Sequence, residues 1–428
     1  MMASLLWRSR PPLARKAKRF FKIRKRWIDE VLMGQYRPDQ KITKQGMMML
    51  FSRRQAICAA GAALAAPLAA PYVARAHFQI NPATNRAYSK RAIELVQRAV
   101  VVDMLAPIKI DFDPSYYTKA LSEKETADFR ASGINAIHHA VGIGGPTAKE
   151  QALSFFAIWG NFIARNSHVF TGVDKFADIL RAKKDGKVAV IMGLQNADHF
   201  NRAADVKTFY EIGQRCAQLT YNSQNRIGSG STERVDGGVS DFGVEIIKAM
   251  NEVGMLVDVS HCGDRTTLDA IEISPKPIAI THSNCRALID HPRVKTDEAI
   301  KALAAKGGVM GITGVRNFVS KTDPTTIVNY ADHIDHVVKL VGIDHVGVGT
   351  DSDLYGYDDT SPEMNKMLRG AYKDSYAFRE KIDVDGFDHP LKMFDLTEEL
   401  LRRKYSDANI LAVLGGNFQR LLTATWGG

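Results

Sequence analysis

Two short runs, MLVDVSH (255–261) and PIAITHS (277–283), each bring an imidazole to the end of an apolar, β-branched stretch. His261 and His282 are 21 residues apart. Neutral imidazole nitrogen is a good donor to Zn²⁺ and similar divalent ions. A third run, HVGVGTD (345–351), ends in Asp351, a carboxylate that can bind metal or shuttle a proton. Taken singly, each histidine reads as a satisfied core residue. Three titratable groups at equivalent strand ends point instead to a shared metal site.

The elements that must position these groups follow from the hydropathy pattern. From residue 90 onward, short apolar runs alternate with longer helical patterns. The strand runs are 99–105, 134–141, 188–194, 216–222, 255–261, 277–283, 308–313 and 345–351. DFGVEIIKAMNEVG (241–254) and TDEAIKALAAKGG (296–308) are helical by spacing. Eight strands with helices between them predict a (β/α)₈ TIM barrel in the α/β class, with strands buried on both faces. Functional groups of such a barrel gather at the C-terminal ends of its strands. Those ends hold Asp103, His138 with His139, Gln195, Tyr221, His261, His282 and Asp351. Side chains alternate along a strand, so at most one of His138 and His139 points inward.

Charge locates a separate leader. Residues 1–76 hold 16 Lys and Arg against 3 Asp and Glu, leaving 41 against 44 in the remainder. The net charge of +10 therefore belongs to the leader and gives no reason to expect a nucleic-acid partner. Within the leader, Arg53 and Arg54 precede an Ala-rich run ending Ala74-Arg75-Ala76, the pattern of a twin-arginine export signal with a peptidase site. Alanines and prolines make that run a poor membrane span, so the mature chain is expected to lack one. The expected location is the periplasm or another exported one, by way of the twin-arginine machinery, with membrane anchoring if the leader is retained. Met47, Met48 and Met49 are an alternative translation start, and the basic, aromatic segment before them suits an anionic lipid surface. Domain organisation is then 1–76 leader and 77–428 a single barrel domain. Cys216, Cys262 and Cys285 follow the leader and read as buried free thiols; a disulfide or a soft metal ligand from Cys262 and Cys285 is the other reading.

SDFGVEIIKAMNEVGMLVDVSH, ITHSNCRAL, HPRVKTDEAI, DHVGVGTDSD and LGGNFQRLL, spread between Ala92 and Leu422, resemble the membrane (renal) dipeptidase family, zinc peptidases of the amidohydrolase type. The resemblance implies hydrolysis of dipeptides at a two-zinc centre, and homodimers. It assigns His261 and His282 to one zinc, Asp351 to the other zinc and to the proton, and Arg293 to the substrate carboxylate, a task suited to a bidentate guanidinium. A surface arginine before a helix is the plainer reading of Arg293.

The departures are concentrated at the second ion. Leu105 and Pro107 stand in place of a His-x-Asp pair, Gln195 in place of the bridging glutamate and Tyr221 in place of a histidine. One zinc per chain, held by His261, His282 and Asp351 with an open position for water, is therefore expected rather than two. Tyr221 is expected to donate to the oxyanion, and Tyr221 with Asn222 to touch substrate. Asp103, Gln195, His138 and His139 are candidate replacement ligands, as are Asp198 and His199. The expected function is metal-dependent hydrolysis of dipeptides or related small amides. The alternative is a dipeptidase-like tailoring or maturation factor for a periplasmic peptide metabolite, without peptidase activity, or a binding protein that keeps the pocket.

Overall fold

All eight apolar runs form strands, and they close on themselves. The computed structural model describes residues 80–81 and 86–427, apart from 111–113, 359, 371 and 374–375; the expected leader and export signal of residues 1–76 lie outside the described residues. The barrel strands are β1 (Val102–Asp103), β2 (Ala136–Val141), β3 (Val188–Leu194), β4 (Gln214–Gln218), β5 (Leu256–Asp258), β6 (Ala279–Ser283), β7 (Val309–Ile312) and β8 (Val346–Val348). Every neighbouring pair is parallel, β8 pairs with β1, and β2 pairs with β3 to close the ring. A short strand, Phe170–Gly172, pairs with the first half of β3.

The helices between strands begin and end where side chains allow. In Asp241–Val253 the Ser240 side chain accepts from the Gly243 N–H, and Gly254 ends the helix in the left-handed region at φ 80°. Such an N-cap contributes roughly 1 kcal/mol. Ile246, Ile247 and Met250 form its buried face, which packs against the outer side of the barrel.

Alternation along the strands sorts the two cores. Val188, Val190, Met192 and Leu194 belong to the layer between sheet and helices. Ala189 and Ile191 join Val102, Met104, Ala136, Cys216, Leu256, Ala279 and Val309 in the barrel interior. Phe418, Leu421, Leu422 and Trp426 of the C-terminal helix Asn417–Trp426 join that cluster together with Val173, Phe176, Ile179 and Ala182, sealing the end where the strands start. The polar groups are left to the opposite end.

One irregularity decides the site. Between β6 and β7, Met310 is opposite Ile280 but Ile312 is opposite Ser283, so β6 carries one extra residue there. A bulge of this kind re-aims side chains. Thr281 and His282, which strict alternation would send to opposite faces, touch each other through Thr281 Oγ1 and His282 Nδ1 at 2.8 Å.

No described helix is long and apolar enough to cross a membrane. Cys216, Cys262 and Cys285 are buried free thiols, which removes the disulfide reading.

Candidate functional site

His261, just past β5, and His282, on the bulge of β6, meet at the C-terminal mouth with their Nε2 atoms 3.0 Å apart. Both rings are fully buried, and burial, with the Arg293 charge next, holds both well below the usual imidazole range, so both are neutral. His261 Nδ1 is 2.7 Å from Asn222 Oδ1. His282 Nδ1 is 2.8 Å from Thr281 Oγ1, whose own proton goes to Asp258 Oδ2 at 2.6 Å. Each Nδ1 therefore carries the ring proton and donates it, and each Nε2 presents a lone pair to the other. Two lone pairs facing at this distance repel unless a proton or a cation lies between them. Two imidazoles on one tetrahedral zinc, each ~2.0–2.1 Å from the ion, stand ~3.3 Å apart. The spacing and the donor type thus fit an ion held by this pair.

Asp351 does not complete that pair. Among the described residues no group of three or more His, Cys, Asp or Glu is gathered at ion-holding distance. Asp351 stands at φ 58°, and burial raises its carboxyl to about 7 against the lowering effects of Arg293 and of a hydrogen bond from Tyr357. Asn222 also has a left-handed backbone, at φ 61°. Asn and Asp tolerate that region best, and such outliers concentrate at functional sites.

Arg293 is not a surface residue; it is the largest fully buried side chain of the described chain. Nη1 donates to Ser260 O at 2.5 Å and Nη2 to His282 O at 3.0 Å, tying the ends of β5 and β6, while Nε has no partner.

Tyr221 stacks on His261, ring centroids 4.2 Å apart, and its hydroxyl pairs with that of Tyr372 at 2.6 Å. Burial holds Tyr221 well above the usual phenol range. Asn222, expected to touch substrate, is committed to orienting His261.

The other candidate ligands are dispersed. Asp103 lies between inward-facing Val102 and Met104 and so faces outward, where it accepts from Thr350 N and Oγ1 beside Lys392. His139 also faces outward, edge-on to Trp159 at 4.0 Å. His138 is the inward member of the pair: its Nδ1 is 2.8 Å from Met104 O, its ring lies over Gly193, and its buried Nε2 is unpartnered. Gln195 uses its amide on Ala140 O. Asp198 caps Gly145 N, and His199 bridges Asn196 O and Gln214 Oε1. Leu105 and Pro107 are buried.

Sequence reasoning passed over Asp258 and Thr281, although a carboxylate inside the buried run LVDV demands donors and so was a signal. It also passed over Tyr357, Tyr372 and Tyr376, which come from the long connection after β8 and bore no pattern.

The model of the membrane dipeptidase family, peptidase family M19, matches residues 90–369. Dipeptidase verJ of Clonostachys rogersoniana is 31% identical over 249 residues, 58% of this chain and 58% of that protein. An uncharacterized dipeptidase of Schizosaccharomyces pombe is 33% identical over 189 residues, 42% of this chain and 45% of that one. The chain spans about half the length of these curated relatives. A solved amidohydrolase from Pseudomonas aeruginosa superposes with TM-score 0.68 at 32% identity, over 79% of this chain and 99% of that one. The probable dipeptidase PvdM of the same organism gives 0.66 at 20%, over 79% and 98%, a likeness of fold.

Proposed function

Because the chain belongs to the membrane dipeptidase family, peptidase family M19, we propose that its barrel mouth hydrolyses dipeptides or related small amides with one zinc ion per chain held between His261 and His282. The observation that carries this reading is the facing pair of Nε2 atoms, 3.0 Å apart, with both Nδ1 protons committed elsewhere. A zinc ion bound there supplies Lewis-acid polarisation of the amide carbonyl and a more acidic water.

The remaining work falls to the chain's own side chains. Asp351, with its carboxyl near 7, takes up and returns a proton at neutral pH. Arg293 offers its unpartnered Nε–H and fixed charge to the substrate's carboxylate. Tyr221, kept protonated by burial, turns its hydroxyl from Tyr372 to the developing oxyanion.

A second reading, a tailoring or maturation factor without peptidase activity, is favoured by the side chains that replace the second ion's ligands: Gln195 is tied to Ala140 O and Tyr221 to Tyr372. Metal analysis with a dipeptide panel separates the two. About one zinc per chain, with hydrolysis lost on chelation and restored by zinc, supports the hydrolase. A zinc-free protein that cleaves nothing in the panel leaves the second reading. On either, the Arg53-Arg54 leader is read as exporting the chain, with cleavage after Ala76 checked by N-terminal sequencing of the exported protein.

A further inference from the structure

The two histidines of the mouth are held by different devices, and the one behind His282 runs deeper than the mouth itself. Asp258 is fully buried in β5 and collects four donors: Ser260 N at 2.9 Å, Ser260 Oγ at 2.5 Å, Thr281 N at 3.1 Å and Thr281 Oγ1 at 2.6 Å. A carboxylate so surrounded only accepts. The Thr281 hydroxyl has one proton and gives it to Asp258, so towards His282 Nδ1, 2.8 Å away, it can only accept. Its dipole is thereby fixed, the Nδ1–H tautomer of His282 is selected, and the Nε2 lone pair is turned to the mouth. The β6 bulge is what lets Thr281 and His282 share a face for this contact.

We propose that Asp258, acting through the Thr281 hydroxyl, is a positioning residue that fixes the ring plane and tautomer of His282 for cation binding. The inference rests on the reading of His261 and His282 as the ion-holding pair, and it adds the cause of their orientation. Outer-shell partners of metal-ligating histidines, lost singly, typically reduce metal affinity about 10- to 100-fold.

The test uses the full chain with ¹⁵N-labelled histidine, the His282 signals being assigned by their loss in His282→Gln. Thr281→Val keeps shape and removes the hydroxyl; Thr281→Ser restores it. In metal-free protein, the parent and Thr281→Ser show His282 protonated at Nδ1, while Thr281→Val shows Nε2–H or a mixture. Titrated with Zn²⁺ alone, Thr281→Val binds about 10- to 100-fold more weakly than the parent and Thr281→Ser recovers most of the loss. Asp258→Asn frees the Thr281 proton and shifts His282 the same way without touching either residue. His282 remaining Nδ1-protonated in both Thr281→Val and Asp258→Asn overturns the relay, as does unchanged zinc affinity in Thr281→Val. If the parent itself fails to bind Zn²⁺, the ion reading falls, and the tautomer measurement still decides the relay.

Discussion

Replacing Arg293 by methionine tests its bracing of the barrel mouth and its electrostatic link to Asp351. The guanidinium reaches Ser260 O and His282 O, 2.5 and 3.0 Å away, at the ends of β5 and β6. Methionine fills much of the volume and leaves both carbonyls buried without that donor, a loss of ~1–3 kcal/mol for each, so about 2–6 kcal/mol together. Against this, an unpaired guanidinium no longer has to be buried, which returns several kcal/mol of desolvation. The carbonyl loss wins because Arg293 is also the largest cause lowering the Asp351 carboxyl, so its charge is partly compensated in place. The net expectation is a destabilisation smaller than the ~2–6 kcal/mol of the carbonyl loss alone, measured by urea unfolding, with Arg293→Lys intermediate because a single ammonium cannot reproduce the fork. A second consequence is electrostatic: without Arg293 the Asp351 carboxyl ionises above about 7, so any activity limb it governs moves to higher pH. A methionine variant with the parent's urea midpoint refutes the bracing role. An unmoved pH limb refutes the link to Asp351.

Gly193→Ala places a Cβ 2.0 Å from His138 Nε2 and 2.9 Å from Cys216 O, so the inward ring must leave its place beside Met104 O. A loss of at least ~1–3 kcal/mol follows, and adding His138→Ala recovers part of it, as unfolding of the single and double variants will show. Tyr221→Phe lowers kcat about 100-fold with little change in KM, as expected for an oxyanion donor, while Tyr372→Phe stays within a few-fold; equal effects in steady-state kinetics would assign Tyr221 only a packing role. Stability falls on acidification: His138, His139, His199, His261, His282, His291 and His333 are all held below 6.5, so the unfolded chain takes up their protons first as pH drops. Each contributes up to ~1.4 kcal/mol per pH unit below that value. Asp103, Asp351 and Asp383, raised to about 6, 7 and 7, and Asp353, also raised by burial, act in the opposite sense from there down to the ordinary carboxyl value of 3.8, because the native form binds their protons first. Seven groups outweigh four, so the urea midpoint drops between pH 6.5 and 5; a rising midpoint contradicts that balance.

The barrel was legible because both faces of its strands are buried, which writes each strand as a continuous β-branched run. The ends of those runs were less sharp: 255–261 contains only the strand Leu256–Asp258, since the last residues already turn into the mouth. His261 and His282 were legible as a converging pair from strand position alone. What the pair needs behind it was not, because the Thr281 contact depends on a one-residue bulge that exists only in the register of β6 against β7. Asp351 failed to join for a related reason, since its left-handed backbone is set by the turn after β8 and strand parity does not extend through it. His139 illustrates the limit of position without parity: it is at a strand end, and it faces Trp159 outside the barrel.

The central claim is that His261 and His282 face each other to hold a cation. Diffraction from zinc-loaded crystals, collected on both sides of the zinc absorption edge, tests it most directly. An anomalous peak is expected ~2.0–2.1 Å from both Nε2 atoms, with the nitrogens parted to ~3.3 Å. Zinc bound elsewhere, with the two imidazoles still 3.0 Å apart and nothing between them, would contradict it.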